Sequence, residues 1–483
     1  MTRINTNVSS LIAQHNLSRA NNDLQTRLER LSTGLAINRG ADDPAGLIVS
    51  ERLRSEIQGV AQAIDNAERA ANVIATAEAA LAEVSNLLTS IKALTIEAAN
   101  TGAFSKQEIE ANQLQIDSAV ESITRISNTT SFAGLKLLNG SLDYITSGIQ
   151  TSAIADVQIF AANFGTNTTI PVTVDVLNSA ETAQLFLSGG SATPTLVSSV
   201  TISVEGNKGV EVIELASGQS FTSIVAAVNQ RSDVTGVSAS IINTSALVFS
   251  STAYGSQAFV SVQEIAESQT FITLDALGGA ARERDNGEDV LALINGGLAL
   301  GDGLDVSLRS STLNIKLGLT VAAAQTLTAG TPHTFTVIGG GANYQIGPSV
   351  NTSQQVGFGI QSVAAHKLGN AVVGFLNTIV TGGANSLVAG KAAEASLIID
   401  AAIDDISGLR GRLGAFERNT LRTTVRSSQV ALENLISAES QVRDADFASE
   451  TALLTRAQIL INAGTSTLAI ANTSAQSVLA LLG

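Results

Sequence analysis

Leu454–Gly483 reads LTRAQILINAGTSTLAIANTSAQSVLALLG. Apolar residues recur seven apart at Leu454, Ile461, Leu468, Ala475 and Leu482. A second row, Ala457, Gly464, Ala471 and Val478, repeats at the same interval with an offset of three. Two rows so related are the a and d positions of a coiled coil, held here for four heptads. The second row is mostly small, so another helix can approach closely along it. Between the rows stand Thr455, Gln458, Asn462, Ser466, Thr473 and Ser477, polar and nearly uncharged. A lone helix cannot bury such a stripe, so it requires a partner in its own chain or in another.

Upstream of this helix, Arg443-Asp444-Ala445-Asp446 reads as a break, with Asp446 as the N-cap. Its D-x-D spacing would also suit a cation, but no second acidic cluster supports a metal site. Further back, Leu421, Ser428, Leu435 and Val442 form one heptad row, with Val425, Leu432 and Glu439 beside it. This helix is expected to begin between Gly390 and Ala395. Gly408, Gly411 and Gly414 weaken its early part, each by about 1 kcal/mol relative to alanine.

The other end of the chain has the same character. Residues 1–35 are expected to be helical, with Ile4, Val8 and Leu11 opening a stripe that Leu24, Leu28, Leu31 and Leu35 continue after a change of phase. Gly34 and Gly40 interrupt it. Asp42-Asp43-Pro44 starts a new helix, with Asp43 as cap and proline in the first turn. That helix is expected from Pro44 to Ala99. Leu53, Val60, Ala67, Ile74, Leu81 and Leu88 recur every seven residues, and the companion row passes from Ile57, Ile64 and Ala71 to Val84, Ile91 and Ala98 with reversed offset, a coiled-coil discontinuity. At ~1.5 Å per residue it would run ~80 Å. Ser105 and Glu108 form a capping box for the next helix, which carries Ile109, Ile116, Ala119, Ile123 and Ile126.

Between the helical ends the pattern changes. Phe132-Ala133-Gly134 and Asn139-Gly140 are turn signals. From about 141 to 365, short alternations replace heptads: Val172, Val174 and Val176; Val200, Ile202 and Val204; and Thr334 to Ile338. A short helix is expected at Phe221–Asn229, between strands near Val210–Leu215 and Val237–Ile242. Gly339-Gly340-Gly341 reads as a loop. The fold class is therefore mainly α with a β-rich insert: a long antiparallel coiled-coil bundle formed by both termini, and one or two β-rich domains inserted in the middle.

Composition narrows the function. The 483 residues suffice for about three domains. Cysteine and tryptophan are absent, which excludes disulfides and thiolate chemistry. With 27 Lys and Arg against 42 Asp and Glu, the net charge of −15 disfavours nucleic acid and anionic membranes. The start, MTRINTNVSS, lacks the apolar core of a signal peptide, and no uninterrupted apolar run reaches about 18 residues, so membrane insertion is not expected.

Several stretches resemble the bacterial flagellins. Leu31-Ser32-Thr33-Gly34-Leu35-Ala36-Ile37-Asn38 with Asp42-Asp43-Pro44-Ala45-Gly46 is similar to the family's amino-terminal signature, and Ser131-Phe132-Ala133-Gly134-Leu135-Lys136-Leu137-Leu138 to the turn after its third helix. Ser437-Ala438-Glu439-Ser440, Arg443-Asp444-Ala445-Asp446, Gln458-Ile459-Leu460, Ala463-Gly464-Thr465-Ser466 and Ala469-Ile470-Ala471-Asn472 resemble the carboxy-terminal signature. The likeness covers about residues 1–140 and 365–483. Asn207 to Ile242 looks like a module shared by flagellin and hook-associated proteins.

The resemblance implies a structural subunit of the flagellar filament, without catalysis or cofactor. It implies export unfolded through a type III channel, with an export chaperone, and polymerisation beneath a cap, next to hook–filament junction proteins. It also implies an inner-core helix at 1–40, outer-core helices at 41–140, a variable surface region at 141–365, an outer-core helix at 366–446 and an inner-core helix at 447–483. The polymerisation seam would comprise the two rows of Leu454–Gly483 with Val8, Leu11, Leu24, Leu28 and Leu31. In the family the terminal helices are usually disordered in the free monomer, since ordering costs roughly 1–2 kcal/mol per residue. Ser and Thr in the surface region would accept O-glycans. The family's proline near the carboxy terminus is absent from Asn472-Thr473-Ser474-Ala475-Gln476, so the last helix is expected to run straight.

Other functions are weighed against this. A metallopeptidase insert needs H-E-x-x-H, and neither His333 nor His366 has a partner at that spacing. No G-x-S-x-G elbow is present, and no P-loop lysine follows the triple glycine. An adhesive insert and a hook–filament junction role share the same helical ends and remain alternatives. The resemblance also places an innate-receptor contact segment at Leu88, Ser90, Lys92, Leu94 and Gln115. Many flagellins have arginine where this chain has Ser90, and glutamate where it has Gln115. Weaker signalling than that of a stimulating flagellin is therefore expected in a reporter-cell assay of the animal Toll-like receptor that senses flagellin; equal potency would refute it.

Overall fold

The structure is a computed structural model that describes residues 6–482 except 166, 189–194, 197, 243–245, 266–270 and 328–331; the side chains of 474–482 are also outside the description. Its helices are α1 (Val8–Thr33), α2 (Pro44–Ala99), α3 (Lys106–Thr129), α4 (Phe221–Asn229), α5 (Ser232–Thr235), α6 (Val321–Ala324), α7 (Ala392–Phe416), α8 (Arg422–Arg443) and α9 (Phe447–Leu482). A π-helical turn, Glu417–Leu421, joins α7 to α8. Two compact units result. One comprises Met1–Ala71, Gln345–Gln354 and Arg418–Gly483; the other comprises Asn72–Tyr344 and Gln355–Glu417.

The long helix has the expected bounds. Asp43 Oδ1 caps it, accepting the N–H groups of Ala45 at 3.1 Å and Gly46 at 3.0 Å. A Cβ at Gly46 would lie 2.5 Å from Asp43 Oδ2, so only glycine fits inside this cap. Along α2, Val60, Ala67, Ile74, Leu81 and Leu88 are buried, and Ala63, Ala70, Ala77, Val84, Ile91 and Ala98 form a second buried row at one constant offset. Ile57, Ile64 and Ala71 of the expected companion row are only half-buried, so the expected change of offset is corrected: alanines occupy the contact positions where the larger isoleucines had set the pattern. One 18-residue window of α2 has a mean hydropathy of 1.2, enough to cross a membrane by length and composition alone. The absence of an uninterrupted apolar run had argued against such a segment.

In the second unit, α3 starts with the expected capping box: Ser105 N–H donates to Glu108 Oε2 at 2.7 Å, and Glu108 N–H to Ser105 Oγ at 3.4 Å. Its Ile116, Val120 and Ile123 are buried. So is Gln113, whose amide clasps the irregular segment before α7. Its Oε1 accepts the Leu387 N–H at 2.8 Å, and its Nε2 donates to the Ile379 carbonyl at 2.9 Å and to Asp117 Oδ1 at 2.8 Å. After α3, Ser131–Phe132 pairs with Leu135–Lys136 across a two-residue turn, where Ala133 (φ 48°) and Gly134 (φ 86°) are both left-handed.

The β-rich segment contains two hydrophobic cores. In the first, a five-stranded antiparallel sheet has the order Gly297–Leu298, Leu291–Ile294, Ile170–Asn178, His333–Gly340, Tyr144–Ser147. A four-stranded sheet has the order Leu300–Asp302, Asp305–Arg309, Leu313–Leu319, Ile154–Ala162. Val172, Val174 and Val176 meet Ile315, Leu317 and Phe335 in their shared core. In the second, Arg284–Asn286, Phe259–Glu264, Val200–Gly206 and Val210–Leu215 form one sheet, and Gln184–Ser188, Ala246–Ser251 and Val237–Ile242 another. Phe221, Ile224 and Val228 of α4 fill the core with Ile202, Val204 and Phe249. The segment thus resolves into two modules.

The triple glycine is not a free loop. Gly339 and Gly340 continue a strand, pairing with Ile145 and Tyr144 beyond a bulge at Val337. A Cβ at Gly340 (φ 89°) would lie 2.2 Å from the Asp143 carbonyl, so glycine permits a close backbone approach there.

Gln113→Ala would strand the Leu387 N–H and the Ile379 carbonyl. The expected loss is about 2–4 kcal/mol of local stability, read as faster amide exchange across residues 379–387 and a lower urea midpoint for this unit. Unchanged exchange would show that the clasp is dispensable.

Candidate functional site: the paired terminal helices

In the first unit, α1 and α9 run antiparallel, side by side. Three ties set their register. At one end, Leu35 and Asp444 form an antiparallel bridge, with the Ala36 N–H donating to the Arg443 carbonyl at 2.7 Å and the Ala445 N–H to the Gly34 carbonyl at 2.9 Å. Gly34 (φ 75°) closes α1 with its own N–H on the Arg30 carbonyl, a left-handed cap that frees the chain to make this bridge. At the other end, Asn7 caps α1 through Oδ1 and donates from Nδ2 to the Ala471 carbonyl at 2.8 Å; Ser10 Oγ donates to Asn472 Oδ1 at 2.9 Å.

The third tie lies between them. The Glu450 side chain, 8% exposed, accepts from Arg27 at 3.0 Å and from Arg30 at 3.2 Å. Arg27 also meets Asp23 at 3.1 Å. Burial by itself would lower the Arg27 guanidinium; the hydrogen bond and charge of Glu450, with Asp23, hold it above its usual value. Asp446 caps α9, accepting from the Ala448 N–H at 2.9 Å.

The contact face itself is small. Ala13, Ala20 and Ala457 are buried, and a Cβ at Gly464 would come 3.3 Å from Leu17 Cδ1. On α1 this face follows two heptad rows, Ala13-Ala20-Arg27 and Leu17-Leu24-Leu31; on α9 it follows Glu450-Ala457-Gly464-Ala471 and Leu454-Ile461-Leu468. The proposed seam residues of α9 up to Ala471 thus lie on the side turned to α1, half-buried apart from Ala457. Ala475, Val478 and Leu482 have side chains outside the described residues, as is all of Ile4.

On α1 the expected stripe divides between two sides of the helix. Leu24 and Leu31 lie on the contact face, but Val8, Leu11 and Leu28 are 54%, 56% and 49% exposed. Ala13 and Ala20 admit the neighbouring helix, Leu17, Leu24 and Leu31 flank them on the same face, and Val8, Leu11 and Leu28 fall off it. Val8 and Leu11 form an exposed apolar face on α1 with Ile12; Phe447, Ile459, Leu460 and Ile470 are exposed on α9. Leu17, Ala13, Ala20, Arg27, Arg30 and Glu450 were missed. Their signal was present, since Ala13, Ala20 and Arg27 are seven apart and Glu450 is seven before Ala457.

The residues of the receptor segment are placed differently from one another. Ser90 and Gln115 are exposed; Lys92 and Leu94 are partly exposed, and Lys92 pairs with Asp400 of α7. Leu88 is fully buried on the core row of α2, so its side chain offers nothing to a partner. Among the described residues, no group of three His, Asp or Glu side chains stands together as metal ligands.

Comparison with known proteins bears on this helix pair. The family description "bacterial flagellin N-terminal helical region" matches residues 4–143, and "bacterial flagellin C-terminal helical region" matches residues 397–482. A flagellin hook IN motif matches residues 201–253, which covers α4 and part of the second core. The chain is 30% identical over 501 residues to the B-type flagellin of Pseudomonas aeruginosa, with 99% of each chain covered. It is 29% identical over 530 residues to a flagellin of Salmonella typhimurium, again with 99% of each covered. With both helical ends matched and the full length shared with such relatives, the chain belongs to the bacterial flagellins, the structural subunits of the flagellar filament.

Proposed function

We propose that the subunit enters the filament through the outward faces of α1 and α9. One observation carries this: Val8, Leu11 and Ile12 of α1 and Ile459, Leu460 and Ile470 of α9 are exposed, outside the face along which Ala13, Leu17, Ala20 and Leu24 meet Leu454, Ala457, Ile461 and Gly464. Exposed apolar stripes on this scale mark association surfaces. In a polymer each Leu, Ile or Val so covered contributes about 1.5–3 kcal/mol. On this reading the seam rows hold α1 to α9 within one subunit, and Val8, Leu11, Ile459, Leu460 and Ile470 meet the neighbours. The segments 1–40 and 447–483 then form the inner core, 41–140 and 366–446 the outer core, and 141–365 the surface region. The 22 residues of α8 include none that is buried, which supports a role for that helix against neighbouring subunits as well.

The role is mechanical and involves no catalysis. We infer that the chain works outside the cell, exported by the flagellar route with a chaperone and assembled beneath a cap and beyond junction proteins. Family membership supports these partners, and exposed Ser and Thr of the surface region remain candidates for O-glycans.

Removing Leu454–Gly483 is expected to abolish polymerisation, scored by electron microscopy; normal filaments from the truncated chain would sink the proposal. A milder change separates the outward face from the seam. Ile470→Asn should raise the critical concentration for assembly about tenfold or more while leaving the helical circular dichroism of the monomer unchanged. An unaltered critical concentration would remove this face from the interface.

A further inference from the structure

The chain contains three Asn-Gly pairs, Asn139-Gly140, Asn286-Gly287 and Asn295-Gly296. In such a pair the glycine nitrogen can attack the asparagine carboxamide, because no Cβ on the glycine blocks the approach. Two of the three are held against this. The Asn295 carboxamide is engaged at both ends: Oδ1 accepts the Thr173 N–H at 2.8 Å, and Nδ2 donates to the Pro171 carbonyl at 3.1 Å. At Asn286 the nucleophile is occupied, since the Gly287 N–H donates to the Ala258 carbonyl at 2.8 Å. Gly287 is also buried, and a Cβ there would lie 2.5 Å from the Glu181 carbonyl oxygen, so the backbone around it is tightly enclosed.

Asn139 differs on each count. It is exposed, and among the described hydrogen bonds neither its Nδ2 nor the Gly140 N–H has a partner. The one bond to its carboxamide favours the reaction: Oδ1 accepts the Ser141 N–H at 3.0 Å, which polarises the carbonyl and stabilises negative charge developing on that oxygen. The turn is meanwhile fixed on both sides. The Leu138 carbonyl accepts the Ser127 hydroxyl at 2.7 Å and the Val363 N–H at 3.0 Å, and the Leu142 carbonyl accepts the Ile360 N–H at 3.0 Å.

We propose that Asn139-Gly140 is a self-modification site, at which the folded chain forms a succinimide and then isoaspartate. The Gly140 nitrogen gives its proton to hydroxide and forms a bond to Asn139 Cγ, while the carbonyl electron pair moves to Oδ1, facing the Ser141 N–H. The tetrahedral adduct expels Nδ2, which takes up a proton from water and leaves as ammonia. Water then opens the ring. Cleavage of the Cγ–N bond leaves aspartate; cleavage between that nitrogen and the main-chain carbonyl carbon of residue 139 leaves isoaspartate, in which the chain runs through Cβ and Cγ. Both products gain a carboxylate, but only the second lengthens the backbone between Leu138 and Leu142, by one methylene. That lengthening works against the anchors on Val363 and Ile360, which are spaced for an ordinary turn.

Ageing of the full-length protein at mildly alkaline pH, followed by peptide mass spectrometry and enzymatic methylation of isoaspartate, tests this. Asn139 is expected to convert about tenfold faster than Asn286 and Asn295, which must first break one or more hydrogen bonds. In denaturant the three rates should converge. Native conversion at Asn139 no faster than at the other two, or a lead that persists unchanged in denaturant, overturns the site. Aged chains carrying isoaspartate at 139 should also exchange the Ile360 and Val363 amides faster, whereas Asn139→Asp, with the charge but not the added methylene, should match the fresh protein. Equal exchange in aged and fresh chains overturns the strain on the anchors.

Discussion

Close approach between α1 and α9 governs the first unit. Helices can lie against each other along Ala13, Ala20, Ala457 and Gly464 only because those positions carry little or no side chain. That choice has two effects. It leaves room within the heptad rows for a buried ionic cluster, Glu450 with Arg27 and Arg30, which fixes register more than it adds stability. It also leaves part of the bulky apolar set, Val8, Leu11, Ile459, Leu460 and Ile470, on the outside. The same geometry thus gives a registered pair and an unsatisfied surface, and on the proposed reading the second is what joins subunits.

The second unit is built on ordinary hydrophobic grounds. Its two β modules bury branched residues on alternating positions, and α4 closes one of them with Phe221, Ile224 and Val228. Polar side chains then fasten irregular backbone to helices: Gln113 holds the segment at Ile379 and Leu387, and Asp405 holds Gly369. These clasps replace the disulfides that a cysteine-free chain lacks.

Much of this was legible where the signal is periodic and local. The bounds of α2, the capping box at Ser105, the strands at Val172–Val176 and Val200–Val204, and the helix at Phe221–Asn229 follow from spacing and caps, and the chain obeys them. The phase of α1 was not fully legible, because alanine burial leaves a faint hydrophobic signature beside Val8, Leu11 and Leu28. The role of Glu450 was not legible locally, because its partners Arg27 and Arg30 stand more than 400 residues away in the chain. The bulge through Gly339 and Gly340 depends on a close approach to Asp143 and Tyr144 that local sequence does not announce.

An alanine-lined seam also has a consequence for handling. Separating α1 from α9 uncovers one face only, with its alanines and its half-buried leucine and isoleucine rows, and breaks one ionic cluster. Once neighbouring copies cover the outer faces, separating the same two helices means breaking many contacts at once. Pliancy in the single molecule and durability in the array then arise from one set of side chains, distinguished only by what lies outside them.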